Sequence, residues 1–263
     1  MTLVAGPAGT IAAVETGAGA PACLLVHGLG ATAELWRGTI DHLKSAHRVV
    51  AFDLRGHGGS SMSADADYSI AGCAADLFAV ADALGLERFV LIGHSFGASV
   101  AIAAAGRAPE RVLGLVLVDA AGAFTGAPPG ALEQFLGALR SSEGPALLRE
   151  TFEGNLERAK DATRQMILAG VTATPHEVML GAYESLLDFH PAVDLARYHG
   201  PSLLVVDDRN KSIFSLHAQE PQRPWRAVSD TSHWLVLDQP EAFHRVVDAF
   251  LATLPAPGPG RDA

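Results

Sequence analysis

Short, continuous runs of apolar residues alternate along the chain with longer segments in which apolar residues recur every three to four positions. The short runs predict β-strands, and the longer segments predict amphipathic α-helices. Predicted strands cover residues 10–15, 22–26, 48–53, 88–92, 112–118, 202–206 and 225–228, with an edge strand before Gly6. Predicted helices cover residues 35–43, 70–84, 96–107 and 242–251. This alternation predicts a mostly parallel eight-stranded sheet, and the apolar strands indicate helices on both of its faces.

The alternation stops between residues 123 and 197, where the pattern is helical only and is interrupted by prolines. We interpret this segment as a helical cap inserted over the carboxyl edge of the sheet. The core of the fold then comprises residues 1–122 and 198–256. The last segment, 257–263, is rich in proline and glycine, and we expect it to be disordered.

Composition narrows the possible partners. The net charge of −10 argues against nucleic acid and against an anionic membrane surface. Cys23 and Cys73 are too few for a disulfide framework, so we expect buried free thiols. The N-terminus lacks a signal-peptide pattern, and the sequence lacks an apolar stretch of membrane-spanning length. We therefore expect a cytoplasmic protein that acts on a small molecule, with a homodimer left open.

The segment LIGHSFGAS combines an apolar run, a Gly-x-Ser-x-Gly motif and the start of a helical pattern. A serine in such a tight strand-to-helix turn needs an unfavourable backbone conformation, and small residues two positions away on each side prevent clashes. Ser95 would then be exposed at a helix N-terminus, where free N–H groups favour a developing anion. The segment therefore predicts that Ser95 is a nucleophile.

Two further segments complete the candidate chemistry. In LLVHGLG a strand ends at His27, and the backbone N–H of Leu29 could join that of Phe96 to form an oxyanion hole. In SDTSHWLVLDQP, His233 follows the last predicted strand, at the same sheet edge as Ser95. Histidine can accept a proton from serine and return it near neutral pH. We therefore predict His233 as the general base.

Together, HGLG, DLRGHGGS at residues 53–60, GHSFG and SHWLVLDQP resemble the α/β-hydrolase superfamily. The resemblance covers the chain except for the insertion, which corresponds to the variable cap of that family. It implies the α/β-hydrolase fold, a Ser-His-acid triad, acyl chemistry and no cofactor or metal. DLRGHGGS resembles a structural loop after the fourth strand, so its polar residues are not expected to be catalytic.

The acid of this triad is ambiguous. The family usually places it a few residues past the penultimate strand, but that position holds Asn210, in the sequence DDRN. Asparagine cannot stabilise an imidazolium, and such a replacement costs ~10⁴ in turnover in a serine-protease triad. Asp119, at the end of the strand beside that of Ser95, is favoured as the acid. Asp208 is the alternative if the loop shifts, and a third possibility is that no acid functions.

Aromatic residues beside the predicted nucleophile suggest the nature of the substrate. His27, Trp234 and Phe124 are predicted to line an apolar pocket for a medium-sized apolar or aromatic substrate. The leading hypothesis is a serine hydrolase that cleaves a carboxylic ester, lactone or thioester through an acyl-enzyme on Ser95. The irregular acid leaves two alternatives open. One is a cofactor-free lyase, cyclase or carbon–carbon bond enzyme of secondary metabolism, and the other is a binding protein with a decayed triad.

Overall fold

The computed structural model of the protein describes residues 1–255. Its strands are β1 (Thr2–Gly6), β2 (Gly9–Thr16), β3 (Ala22–Val26), β4 (Val49–Phe52), β5 (Phe89–His94), β6 (Val112–Val118), β7 (Ser202–Asp207) and β8 (Trp225–Val228). They form one sheet in the order β1-β2-β4-β3-β5-β6-β7-β8. Strand β2 runs antiparallel to β1 and β4, and the pairs among β3 to β8 are parallel. The predicted eight-stranded, mostly parallel sheet is therefore confirmed.

The central strands hold the core of the protein. Every residue of β4, β5 and β6 is buried, as expected for parallel strands that are covered on both faces. Because all the parallel strands point the same way, the residues after β3, β5, β6 and β7 meet at one edge of the sheet. That carboxyl edge carries the loops that contain the candidate catalytic residues.

The helices are α1 (Arg37–Leu43), α2 (Ile70–Ala83), α3 (Phe96–Arg107), α4 (Ala131–Arg140), α5 (Gly144–Asn155), α6 (Asp161–Ala173), α7 (His176–Asp188), α8 (Pro191–Leu195), α9 (Leu216–Gln219), α10 (Leu235–Asp238) and α11 (Pro240–Leu251). Helices of the core form two groups. In the first, α3 contacts both α2 and α8, and in the second, α1 contacts α11. Helix α2 begins at the cap residue Ser69, whose hydroxyl accepts the N–H of Gly72 at 3.0 Å. Within residues 1–255, no helix has the length and apolar character needed to cross a membrane.

Helices α4 to α8 lie between β6 and β7, where the insertion was predicted. Successive helices α4, α5 and α6 contact one another, and α7 contacts α4. Helix α8 instead packs against α3, where a Cβ on Gly106 would lie 2.5 Å from that of Asp194. The last helix of the predicted cap, residues 123–197, is thus attached to the core. The predicted tail, 257–263, lies outside the described residues.

Both cysteines are buried free thiols, as predicted. Burial raises the pKa of Cys23 to about 12, because a thiolate would lose its hydration inside the core. Burial raises the pKa of Cys73 as well. Neither thiol therefore has the low pKa that characterises reactive cysteines.

Candidate active site

Ser95 occupies a strained bend between β5 and α3. Its backbone angles are φ 53° and ψ −120°, a conformation that L-residues rarely adopt. Such strain costs about 1–3 kcal/mol and persists only where the surrounding structure enforces it. The backbone N–H of Ser95 donates to the carbonyl of Val118 at 2.9 Å, which fixes the bend to the neighbouring strand β6. The serine side chain is thereby held at the carboxyl edge of the sheet.

The two glycines of the motif leave room for this bend. A Cβ on Gly93 would lie 2.4 Å from the carbonyl oxygen of Gly97, and one on Gly97 would lie 2.3 Å from that of Val26. Both clashes involve backbone atoms, which cannot rotate away. A serine that merely capped a helix would not need both glycines. The lack of space at Gly93 and Gly97 therefore favours the predicted nucleophile turn.

Asp119 and His233 form a short polar contact in the site. Asp119 directly follows β6, and its Oδ2 accepts a hydrogen bond from Nδ1 of His233 at 2.6 Å. Burial alone would raise the pKa of Asp119. The hydrogen bond and the charge of His233, together with a hydrogen bond from Asn210, outweigh that effect and lower the pKa of Asp119 below its usual value. Asp119 is therefore ionised at neutral pH and can orient the imidazole and stabilise its protonated form.

The alternative acid lies elsewhere. Asp208 is exposed, and its carboxylate interacts with Ser229 and, at 4.0 Å, with Arg209. Asn210 does not replace the acid either, because its Nδ2 donates to Oδ1 of Asp119 at 2.8 Å. Of the two candidate acids, the structure brings Asp119 to His233.

Ser95 and His233 line the same two cavities. The larger has a volume of about 450 Å³ and also reaches Asp119, and the smaller has a volume of about 40 Å³. Within residues 1–255, no hydrogen bond joins Ser95 Oγ to His233. In enzymes without substrate such hydrogen bonds are often long and shorten in the complex. Both side chains thus face the same two cavities, where a bound substrate could contact them together.

The two predicted oxyanion-hole residues, Leu29 and Phe96, lie next to Ser95. Leu29 lines the smaller cavity next to Ser95, and Phe96 is the first residue of α3. The N–H groups of Leu29 and Phe96 have no protein acceptor within residues 1–255. A Cβ on Gly28 would lie 3.1 Å from that of Ser95, so glycine permits the close approach of this loop to the serine.

His27 was predicted to line the substrate pocket, and this prediction is wrong. The side chain is fully buried, and both ring nitrogens bind backbone. Nδ1 donates to the carbonyl of Gly28 at 2.7 Å, and Nε2 accepts the N–H of Leu54 at 2.9 Å. Burial lowers the pKa of His27 to about 4, so the ring is neutral at pH 7. His27 thus holds the loop that carries the oxyanion-hole candidate and does not face substrate.

The loop DLRGHGGS is structural, as expected. Asp53 accepts the N–H groups of Ala33 and Gly59 at 2.7 and 2.8 Å. His57 accepts the N–H of Gly30 through Nε2 at 3.3 Å, and burial lowers its pKa to about 3. Arg55 forms a buried ion pair with Asp76 at 2.6 Å. These contacts connect the loop after β4 with the oxyanion-hole loop.

Both cavities have walls of mixed polarity. Phe124 lines the larger one and stacks on Phe214, with ring centroids 5.1 Å apart. The predicted apolar character is met only in part here, because the charged residues Glu157, Arg158 and Asp207 line the same cavity. The smaller cavity is mixed as well, because the apolar side chains of its walls stand beside polar ones: Leu29, Phe152, Tyr183, Leu186 and Trp234 on the one hand, and His94, Ser95, Asn155 and His233 on the other.

This arrangement of strands, bend and cavity has counterparts among known proteins. Residues 21–167 match the sequence profile of the alpha/beta hydrolase fold family, which is more than half of the chain. The chain belongs to the α/β-hydrolase family. The sequence resemblance to that superfamily is therefore confirmed.

Two curated relatives that match most of the chain are named as a deformylase and a hydrolase. The chain is 30% identical to an N-formylmaleamate deformylase of Pseudomonas putida over 88% of each chain. It is 29% identical to a 2-hydroxymuconate semialdehyde hydrolase of Pseudomonas putida, over 90% of this chain and 89% of that one. A solved esterase of Thermogutta terrifontis is 25% identical, with a TM-score of 0.80 over 95% of this chain and 97% of that one. Two further curated relatives are matched over only 38% and 64% of their own length.

Sequence reasoning missed His94 in this α/β-hydrolase site. Its Nε2–H donates to the backbone carbonyl of His233 at 2.9 Å, and the two rings lie 4.7 Å apart. Burial lowers the pKa of His94 to about 3, with a further contribution from the charge of His233, so His94 is neutral when it donates. The residue occupies the variable position before the serine, where the motif carries no signal for such a role.

Phe124, which was predicted, lies in the insertion, but other cavity residues from this segment were missed. Phe152, Asn155, Arg158 and Tyr183 reach the site from α5, α7 and the segment after α5, which contain no recognisable motif. Within residues 1–255, no group of three or more His, Cys, Asp or Glu side chains has an arrangement that could hold a metal ion.

Proposed function

We propose that this chain is a serine hydrolase that cleaves a carboxylic ester, lactone or thioester through an acyl-enzyme on Ser95. The observation that carries the proposal is the 2.6 Å hydrogen bond between Asp119 and His233, in a cavity that Ser95 also lines. A buried carboxylate paired with histidine beside a strained serine is the arrangement that nucleophilic acyl transfer requires. This pairing also removes the main reason for expecting a decayed triad, which was the missing acid.

Each residue then has a chemical role. Ser95 Oγ attacks the carbonyl carbon while His233 Nε2 takes its proton, and Asp119 stabilises the imidazolium that forms. The N–H groups of Leu29 and Phe96 stabilise the oxyanion, and each such donor is worth about 2.7–4 kcal/mol. His233 returns the proton to the leaving group. Water, activated by His233, then releases the acyl group and regenerates Ser95.

The charges of the larger cavity favour an uncharged substrate. Asp119, Glu157 and Asp207 provide three carboxylates, while Arg158 provides one guanidinium. Arg158 already pairs with Asp207 at 3.3 Å, so this guanidinium is engaged and not free to bind a substrate anion. A substrate carboxylate would be repelled here, because charges in a partly desolvated cavity interact strongly. We assign the leaving group of a neutral, medium-sized substrate to this cavity.

The smaller cavity suits a short acyl group. Its volume of about 40 Å³ is little more than that of one water molecule, and its walls combine apolar and polar side chains. Phe152 and Trp234 close it, with ring centroids 5.9 Å apart. A formyl or acetyl group fits this space, whereas a long acyl chain does not. The proposed substrate thus joins a short acyl group to a larger polar or aromatic leaving group.

A second candidate reaction is removal of an N-formyl group. The relative named as an N-formylmaleamate deformylase matches over most of both chains, and the small acyl cavity fits a formyl group. The same three residues would perform this reaction, with an amide nitrogen as the leaving group. The cavity charges predict an uncharged formamide and not one that carries a carboxylate.

A panel of p-nitrophenyl esters from formate to octanoate, with lactones and N-formyl amides alongside, tests the proposal. Wild type should release p-nitrophenol in a burst equal to the enzyme concentration, with formate and acetate the fastest. Ser95→Ala should lose the burst while keeping the thermal stability of the wild type. Turnover of the panel by Ser95→Ala at wild-type rates would refute the nucleophile assignment.

A further inference from the structure

The amide of Asn210 stands where this family usually places its catalytic acid, and it has two defined partners. Its Nδ2 donates to Oδ1 of Asp119 at 2.8 Å, and its Oδ1 accepts the backbone N–H of Ser212 at 3.1 Å. The second contact fixes which end of the amide faces the carboxylate, because a flipped side chain would oppose oxygen to oxygen and N–H to N–H. The backbone N–H of Asn210 donates to the carbonyl of Asp207 at 3.0 Å, which holds the residue in its turn.

The carboxylate of Asp119 is consequently held from both sides. Oδ1 accepts from Asn210, and Oδ2 accepts from His233 at 2.6 Å. Asp119 itself has a φ of 43°, in the left-handed region, and its backbone N–H donates to the carbonyl of Val205 at 2.8 Å. Such a backbone conformation persists only where the surrounding structure enforces it, as these contacts do.

We propose that Asn210 is a positioning residue that directs the carboxylate of Asp119 toward His233 and makes it the single negative charge of the triad. The inference rests on the proposed function and deepens it. An aspartate at position 210 would replace the donor to Asp119 with a second carboxylate, which repels the first and adds negative charge beside His233. Asparagine at this position therefore belongs with an acid that comes from β6 and is not a defect in the triad.

Two substitutions separate the contributions of the amide. Asn210→Leu removes the donor while keeping the approximate size, and Asn210→Asp adds a carboxylate. We expect Asn210→Leu to lower kcat/KM for p-nitrophenyl acetate roughly 10- to 100-fold, the usual effect of losing a hydrogen bond to a charged group. We expect Asn210→Asp to move the acid limb of the kcat/KM profile upward by about one pH unit or more, because added negative charge favours protonated His233.

Asp208→Asn is the matched control, because it changes charge on the same loop and does not contact Asp119. Its pH profile should match that of wild type, and circular dichroism and thermal unfolding should show all three variants folded. A merely structural role for Asn210 would lower the unfolding temperature and leave the acid limb in place. An unshifted limb in Asn210→Asp, with Ser95→Ala inactive, would overturn the role of Asn210 while the proposed hydrolase stands. Full activity in Ser95→Ala would instead overturn the hydrolase itself.

Discussion

Replacing Asp119 with asparagine removes the negative charge beside His233 and keeps the size of the side chain. In the present structure Oδ2 of Asp119 accepts from Nδ1 of His233 at 2.6 Å, a length typical of a charge-assisted hydrogen bond. With asparagine, the neutral amide cannot stabilise the imidazolium that forms as Ser95 attacks. Its NH₂ group can also hold the ring in the wrong tautomer.

The expected loss in kcat is about 10⁴-fold, by comparison with the same substitution in a serine-protease triad. That loss corresponds to about 5 kcal/mol of transition-state stabilisation, at 1.36 kcal/mol for each tenfold change. The assay is steady-state hydrolysis of p-nitrophenyl acetate by wild type, Asp119→Asn and Asp208→Asn. Asp208→Asn should stay within about twofold of wild type, because its carboxylate is exposed and interacts with Ser229 and Arg209. The reasoning would be refuted if Asp119→Asn kept a tenth or more of the activity while Asp208→Asn lost most of it.

Three further outcomes are expected. Phe152→Val, which widens the smaller cavity, should raise the butyrate-to-acetate rate ratio roughly tenfold in the ester panel; an unchanged ratio would remove Phe152 from the acyl site. Arg55→Ala should lower the free energy of unfolding by about 3–5 kcal/mol in urea titrations, because it leaves Asp76 buried without its ion-pair partner; a loss under 1 kcal/mol would contradict this. Burial lowers the pKa of His27 to about 4 and that of His57 to about 3, both below the unfolded value of 6.5. The unfolded chain therefore binds protons more readily than the folded one, so the free energy of unfolding is highest above pH 6.5 and falls as the pH drops toward 3. At pH 5 each should cost about 2 kcal/mol of stability, and urea titrations that agree at pH 5 and pH 7 would refute this.

The fold was predictable because its main signals are local. A strand that is covered on both faces has a continuous run of apolar residues. Strand β6, Val112–Val118, coincides with the apolar run from which it was predicted. Ser95 was predictable for a similar reason, since the clashes at Gly93 and Gly97 leave a mark in the sequence around the bend. In both cases the physical constraint acts on neighbouring residues.

The remaining parts of the site depend on distances between separate loops. Asp119 and Asp208 both follow strands at the same sheet edge, and only the structure brings one of them to His233. His27 was misplaced because a histidine after a strand looks the same in sequence whether its ring faces a cavity or lies beneath a loop. The charged wall of the larger cavity pairs Arg158 with Asp207, 49 positions apart in the chain, and no local pattern records this contact.

Mass spectrometry of the protein after treatment with a p-nitrophenyl alkylphosphonate is the most direct test of a nucleophilic Ser95. We expect one phosphonyl group per chain, located on the peptide that contains Ser95, with simultaneous loss of esterase activity. Ser95→Ala should remain unmodified, and Asp119→Asn should react far more slowly than wild type. A phosphonyl group on another residue, or complete inactivation without modification of Ser95, would contradict the account.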